Sequence, residues 1–282
     1  MTLKELYEQG SAILAEAGIA EAGLDAWYLL EFVTKISRAM YYVHAGDAVC
    51  EEKQIRYQEL VQKRAGYIPL QHLTGEQEFM GLPFFVDSHV LIPRQDTENL
   101  VECACGLLQD HMSVLDLCTG SGCILLSMEH FAREKKLQGF AGAGADVSKE
   151  ALAVAEKNGD RLETDVTWIE SDLFEKIEGK FDLIVSNPPY IRTSEIPKLQ
   201  REVKDHDPML ALDGKDDGLY FYRRIIRESV AYIRPGGHLL FEIGFDQGAQ
   251  VSALMREAGY SSVMVKKDLA GLDRVVSGVY QM

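Results

Sequence analysis

Ser186-Asn187-Pro188-Pro189-Tyr190 brings a carboxamide, two prolines and a phenol ring together on consecutive residues. The motif follows Phe181-Asp182-Leu183-Ile184-Val185, a run rich in β-branched and aromatic residues that predicts a buried strand. Neither proline has an N–H to donate, so the ladder must stop there. An Asn amide and a Tyr ring are therefore held rigidly at the carboxyl end of a strand, where open α/β sheets bind ligands. An amide does not titrate, so the chemistry on offer is positioning rather than proton transfer. Asn and Pro also build ordinary strand-ending turns, and the motif gains meaning only from its surroundings.

A second constellation lies upstream. Val114-Leu115-Asp116-Leu117-Cys118-Thr119-Gly120-Ser121-Gly122-Cys123 reads as a strand, a glycine-rich turn and a helix start. Small residues let a ligand approach the backbone, and free N–H groups at a helix start favour an electron-rich group. A dinucleotide fingerprint would need a third glycine, which is missing, and Asp116 would repel a pyrophosphate. An acid there suits a ligand that carries a cationic amino group. Asp146 ends the next predicted strand, before the helix start Ser148-Lys149-Glu150, where a carboxylate can accept from both hydroxyls of a ribose. Asp172, after Thr167-Trp168-Ile169, is placed to accept from an exocyclic adenine amine, with Leu173 against the ring. Singly, each acid would pass for a solvated loop residue. Three in succession after three strands point to a bound nucleoside.

The elements that must position these residues fall in two blocks. Residues 1 to about 70 read as helices only: Thr2-x-x-Glu5 predicts a capping box, Gly18 a stop, and Leu24, Trp27, Tyr28 and Leu30 to Phe32 a second stripe. Glu51 to Gly66 carries a third through Ile55, Leu60 and Val61. Pro69, Gly75, Gly81 and Pro83 then punctuate short runs that predict a β-hairpin, and Asp96 or Thr97 caps a helix through about Leu108. From Ser113 strands and helices alternate, which predicts an α/β fold with a mainly parallel sheet covered on both faces. Strands are expected near 113–118, 139–145, 166–170, 181–186, 237–243, 260–266 and 273–280, with helices near 123–135, 148–158, 219–232 and 246–258.

Composition narrows the partners. The net charge of −15 over 282 residues disfavours a general nucleic-acid binder, which would show a basic face. Five cysteines without framework spacing predict reduced thiols and no zinc site. Met-Thr-Leu-Lys-Glu does not open a secretory signal, and no apolar stretch reaches membrane-spanning length, so a cytoplasmic setting is expected.

The order Asp116, Asp146, Asp172, Asn187-Pro188-Pro189-Tyr190 resembles the class I methyltransferases that use S-adenosyl-L-methionine, in the branch that methylates planar nitrogen. The chain as a whole is similar to the release-factor glutamine methyltransferase family. Ile92-Pro93-Arg94, Asp96-Thr97-Glu98, Arg234-Pro235-Gly236-Gly237, Glu242-Ile243-Gly244 and Asp268-Leu269-Ala270-Gly271 carry that likeness to the tail. Gln95, Cys118 and Leu173 depart from it, standing where a second proline, a glycine and an aromatic ring are frequent. The resemblance implies a helical substrate-docking domain over 1–72, a β-hairpin linker over 73–95 and a Rossmann-like methyltransferase domain with a seven-stranded sheet over 96–282. It implies methyl transfer to N5 of the glutamine in the Gly-Gly-Gln motif of class I peptide-chain release factors, in support of translation termination, with S-adenosyl-L-homocysteine as product. In that scheme Asn187, Pro188 and Tyr190 are catalytic, and Pro189 joins them in binding the substrate. The cofactor falls to Asp116, Cys118, Thr119, Gly120, Ser121, Gly122, Asp146, Asp172, Leu173 and Asn187. Asn187 Oδ1 and the Pro188 carbonyl pin the substrate amide while Tyr190 forms an apolar wall. A monomer without metal, membrane or direct nucleic-acid contact is expected.

Rival readings share part of this pattern. An amino-methyltransferase acting on adenine or guanine of DNA or RNA would use the same pocket for a flipped base, and the acidic balance counts against it. A non-catalytic adenosine binder would not need Asn187 to Tyr190, and a nicotinamide oxidoreductase would need the missing glycine. His72, His89 and His206 lie outside the strand-end constellation and read as structural or surface residues, while Asp205 to Pro208 reads as a border of the substrate channel.

Overall fold

The computed structural model describes residues 1–281, which divide into two compact units. The first comprises Met1–Glu76 and Gln200–His206. Its helices are α1 Leu3–Glu16, α2 Ala22–Thr34, α3 Arg38–His44, α4 Glu51–Ala65 and α5 Leu70–Thr74, joined by the short helix Arg201–His206. The capping box forms as the sequence predicts: the Thr2 hydroxyl accepts from the Glu5 N–H while Glu5 accepts from the Thr2 N–H. Leu6, Leu14, Trp27, Leu29, Leu30, Tyr57, Leu60 and Val61 form the core. Two expectations shift. Ile55 is exposed and Tyr57 takes the inward position on α4, and Leu24 and Tyr28 face outward from α2. The α3 helix escaped the periodicity because it buries no residue.

One polar group sits inside this unit. Buried Arg64 donates to Asp25 at 2.6 Å and to Glu202 at 2.5 Å, and to the Ile68 carbonyl at 3.3 Å. Burial still pushes the Asp25 carboxyl up, against the opposing pull of Arg64. Removing one partner strands the other in a poor solvent, so Arg64→Ala is expected to destabilise this unit by about 3 kcal/mol. Hydrogen exchange of the α1, α2 and α4 amides in the full chain checks this, and unchanged protection would refute it.

The second unit runs from Gln77 to Leu199 and again from Asp207. Strands β1 Glu76–Phe79 and β2 Leu82–Phe85 make the expected hairpin. Met80 and Gly81 at its turn both take positive φ, 52° and 75°, the twist that a two-residue hairpin loop favours. A 3-10 turn, Gln95–Thr97, leads into α6 Glu98–Cys105. Then follow β3 Ser113–Leu117, α7 Cys123–Glu134, β4 Ala141–Asp146, α8 Lys149–Arg161, β5 Val166–Glu170 and β6 Phe181–Ser186. The chain continues through helix Tyr220–Ser229, β7 Ile233–Glu242, helix Gly248–Glu257, β8 Tyr260–Lys267 and β9 Asp273–Tyr280.

The seven strands form one sheet in the order β5-β4-β3-β6-β7-β9-β8, parallel except where β9 pairs antiparallel with β7 and β8. This is the mainly parallel sheet the alternation predicts. Alternate residues of the central strands feed opposite faces. Val114, Leu183, Val185 and Leu240 meet α6, α7 and the hairpin phenylalanines, whereas Leu115, Ile184, Leu239 and Phe241 meet Tyr222, Ile225, Val251 and Met255. β7 begins earlier than predicted because the strand runs through Pro235, with a register shift opposite Phe181 and Leu183. The central strands β3 and β6 thus end side by side, Leu117 level with Ser186.

Candidate active site

That shared end of β3 and β6 is fixed by side chains. Ser186, fully buried, donates its hydroxyl to the Leu117 carbonyl at 2.7 Å, tying the start of the Asn-Pro-Pro-Tyr motif to the glycine-rich turn. Asn187 donates through Nδ2 to Thr97 Oγ1 at 3.3 Å. The Tyr190 hydroxyl donates to Glu242 Oε1 at 3.3 Å, and its backbone carbonyl accepts from Gln247 Nε2 at 3.1 Å. Gly218 has φ +75°, and a Cβ there would lie 2.4 Å from the Tyr190 carbonyl oxygen. The motif is held on every side before any substrate arrives.

Beside it opens a cleft of about 1060 Å³, its solvent-open mouth included. Its walls include Cys118, Thr119, Gly120, Ser121, Asp146, Asp172, Leu173, Asn187 and Pro189, so most of the sequence-derived candidates share one cavity. Asp116, Gly122, Pro188 and Tyr190 are not among its lining residues. Gly122 lies beneath the turn with φ +79°, where a Cβ would meet Trp168 at 2.8 Å. Cys118 has φ +59°, left-handed backbone that is costly for a residue with a Cβ, which gives the physical sense of a glycine at that place. The Tyr190 ring is partly buried and packs against the core cluster that includes Phe241, Ile243 and Tyr222.

The acids differ in their partners. Asp116 is fully buried: Oδ2 accepts from the Thr119 hydroxyl at 2.6 Å, and Oδ1 has no hydrogen-bond partner. Burial pushes its carboxyl up to about 7, with the Thr119 hydroxyl opposing and Asp146 adding to the rise. Asp146 accepts from the Gly120 N–H at 2.9 Å and the Ser148 N–H at 3.0 Å, and burial raises it too. Asp172 is held by Arg224 Nη1 at 2.9 Å and 3.2 Å from its two oxygens. A carboxylate offers about four lone-pair sites, so both Asp146 and Asp172 keep acceptor capacity for a ligand. These walls fit a nucleoside with a cationic tail: two acids with spare acceptors, an apolar Leu173, backbone N–H groups, and an orphaned buried carboxylate oxygen nearby.

Three structural features lie outside the sequence-derived set. Arg94 at the cleft wall donates to buried Asp207 at 2.6 Å, and Pro208, Leu210 and Ala211 continue that wall. His89 also rims the cleft, hydrogen-bonded to Asp87 at 3.1 Å. Glu242, pushed up to about 7 by burial with Thr97 and Arg274 opposing, sits behind the motif. Among the described residues no cluster of His, Cys, Asp and Glu could hold a metal ion, and no helix is long and apolar enough to cross a membrane.

Comparison with known proteins decides the family. The PrmC N-terminal domain matches residues 5–75, and the methyltransferase small domain matches 97–215. A release factor glutamine methyltransferase of Geobacter sulfurreducens is 38% identical over 98% of this chain and 96% of its own length. The chain belongs to the release factor glutamine methyltransferase family. A second relative so named, from Clostridium acetobutylicum, is also 38% identical, over 99% of both chains. The crystal structure of a methyltransferase from Pyrococcus furiosus superposes with a TM-score of 0.54 at 17% identity, covering 72% of this chain and 90% of its own. That likeness shows the class I methyltransferase fold alone.

Two residues behind the motif, Gln247 and Glu242, have roles that only the folded chain shows. Gln247 lies in a stretch that reads only as a helix start. It is buried, and accepts from the Gly244 N–H at 2.9 Å while clamping Tyr190 and the Gly218 carbonyl. The one signal was the glutamate of Glu242-Ile243-Gly244, an acid closing an otherwise apolar strand.

Proposed function

We infer that this chain transfers a methyl group from S-adenosyl-L-methionine to the side-chain N5 of the glutamine in the Gly-Gly-Gln motif of class I peptide-chain release factors. The observation that carries the reading is Asn187, fixed on the wall of the cleft that Asp146 and Asp172 line, with its NH₂ end turned to Thr97. When bound, S-adenosyl-L-methionine supplies an electrophilic methyl group on a sulfonium. Asp116, Asp146, Asp172, Leu173, Asn187 and the turn Cys118 to Gly122 would hold it.

The substrate nitrogen is a poor nucleophile, because its lone pair is delocalised into the carbonyl. The chain answers by orientation. Asn187 Oδ1 and the Pro188 carbonyl accept the two substrate N–H groups, and Pro189 keeps the flat amide against the strand end. Positioning of this kind can supply roughly 7–11 kcal/mol of barrier reduction in favourable intramolecular cases. Neither acceptor is a strong base, so the proton leaves to water after transfer. Tyr190 braces the motif through Glu242 and Gln247.

On this reading the helical residues 1–72 dock the release factor, 73–95 link, and 96–282 carry the chemistry, in a cytoplasmic monomer. Exposed Met40, Tyr42 and Val43 on α3 support a docking role for the helical unit. Incubation with S-adenosyl-L-methionine and release factor, followed by peptide mass spectrometry, tests the assignment. One added methyl on the Gly-Gly-Gln glutamine is expected. An unmodified glutamine together with methylated nucleic acid would overturn it.

A further inference from the structure

We propose that Asn158 is a positioning residue for the cofactor, a role that rests on the S-adenosyl-L-methionine reading. It is a buried clasp that holds the glycine-rich turn and the chain segment after the β-hairpin together as one wall of the cleft. Asn158 lies on α8 and is fully buried. Its Oδ1 accepts from the Phe85 N–H at 2.7 Å, and Nδ2 donates to the Phe85 carbonyl at 3.0 Å. Nδ2 also donates to the Ser121 carbonyl at 2.9 Å. One amide therefore joins the last residue of β2 to the turn between β3 and α7.

Both of the parts it joins line the cleft. Ser121 stands in the turn Cys118 to Gly122, and Phe85 opens the segment whose His89, Val90, Leu91, Pro93 and Arg94 face the same cavity. The start of α8 has its own hold on the turn. There Asp146, just ahead of the N-cap Ser148, accepts from the Gly120 N–H at 2.9 Å. The helix thus grips the turn near both its ends, and Asn158 extends that grip to the segment. Val86 and Val90 pack with Ala151 and Val154 of α8, an apolar seam without direction. The amide supplies the direction, because it gives Phe85 the pair of hydrogen bonds that a neighbouring strand would give.

The residue type follows from what surrounds it. Two carbonyls and one N–H converge here, and they call for two donors and an acceptor on one short side chain. That is the inventory of Asn. An Asp would set a carboxylate against two carbonyl oxygens, and a Leu of similar volume would leave all three backbone groups without a partner. Asn158 is itself absent from the cleft wall, so its influence on a ligand passes through Ser121 and the segment that Phe85 opens.

In the full chain, N158L is expected to weaken S-adenosyl-L-homocysteine binding on the order of 20-fold by calorimetry, the scale of a buried polar group losing its partner. KM for S-adenosyl-L-methionine should rise in step, while kcat and KM for release factor stay within about threefold. The split is expected because Ser186 and Gln247 hold the Asn187 motif independently of α8. S229A gives the comparison for stability alone: buried Ser229 meets Tyr260 at 2.6 Å and is absent from the cleft wall. It should lower the melting temperature and leave affinity within about twofold of wild type. If N158L folds poorly, N158S carries the test, since its small side chain admits a water to the freed backbone groups. About fivefold weaker binding is expected there, water replacing part of what the amide supplied. Unchanged affinity in folded N158L or N158S, a fall in kcat as large as the loss of affinity, or an equal loss of binding in S229A would each overturn the proposal. Wild type that does not bind S-adenosyl-L-homocysteine would refute the cofactor reading, and this role with it, before any variant is compared. Wild type that binds it but leaves the glutamine unmethylated would refute the substrate assignment alone, and the binding comparison would still decide for or against Asn158.

Discussion

Asn187→Ala is expected to lower kcat by about 10²–10³-fold, about 2.7–4 kcal/mol, the scale on which one preorganised polar contact to a reacting group is lost. Binding of S-adenosyl-L-homocysteine should weaken less than about threefold. The split follows from geometry. Asn187 is one of many cleft-lining residues, and the acids assigned to the ribose and adenine come from other strand ends, β4 and β5. On the proposed reading the substrate amide has only Asn187 Oδ1 and the Pro188 carbonyl. Removing the side chain also frees the Thr97 oxygen, but leaves Ser186 and Gln247 holding the backbone on either side. The motif should keep its shape and lose its aim. Single-turnover methylation and calorimetry on the same preparation measure both quantities. Equal losses in rate and cofactor affinity would make Asn187 a cofactor ligand first, and would remove the basis of the positioning account.

Sequence reveals such a residue because strand, proline pair and amide are contiguous. The same holds for Asp146 and Asp172, each at the carboxyl end of its strand, a place set by the parallel sheet rather than by tertiary detail. The unbroken apolar runs Leu183-Ile184-Val185 and Leu239-Leu240-Phe241 likewise declare a sheet covered on both faces, and the structure has one. What stayed hidden depends on which residues meet in space. Thr97 reads as a helix cap, yet its side chain caps nothing and turns to Asn187 instead. Glu242 reads as a strand end, and only the folded chain buries it against the Tyr190 hydroxyl. Gln247 could have been any surface polar residue at a helix start. For Tyr190 the sequence shows a ring next to two prolines but not that its hydroxyl reaches Glu242 or that it packs against the core. In the helical unit Ile55 fits the period as well as Tyr57 does, and only packing decides that Tyr57 goes inside.

Asp116→Asn should weaken binding of S-adenosyl-L-homocysteine at pH 7.5 by about two orders of magnitude, the lower end of the roughly 3–5 kcal/mol lost when one partner of a buried charge pair is removed. It should also abolish the pH dependence of that binding on the acid side. In the free protein burial lifts this carboxyl to about 7 from its ordinary 3.8, so near neutrality much of it is protonated. A cationic amino group selects the ionised form, and below pH 7 affinity should fall about tenfold per unit as the proton competes. Above that pH the carboxylate is ionised and the ligand's amino group still charged, so affinity should level off. Stability should move the other way. A carboxyl whose pKa is higher folded than unfolded contributes stability that is complete below about pH 4 and is lost as the pH rises through 7. An amide at this position has no charge to strand, so Asp116→Asn should melt above wild type at pH 7.5 and level with it near pH 4. A variant that is more stable and binds worse separates a ligand-directed acid from a structural one. If Asp116→Asn instead lowers the melting temperature at pH 7.5 and leaves the affinity profile unchanged, the unpaired Oδ1 serves the fold, and the cationic end of the cofactor is held elsewhere in the cleft.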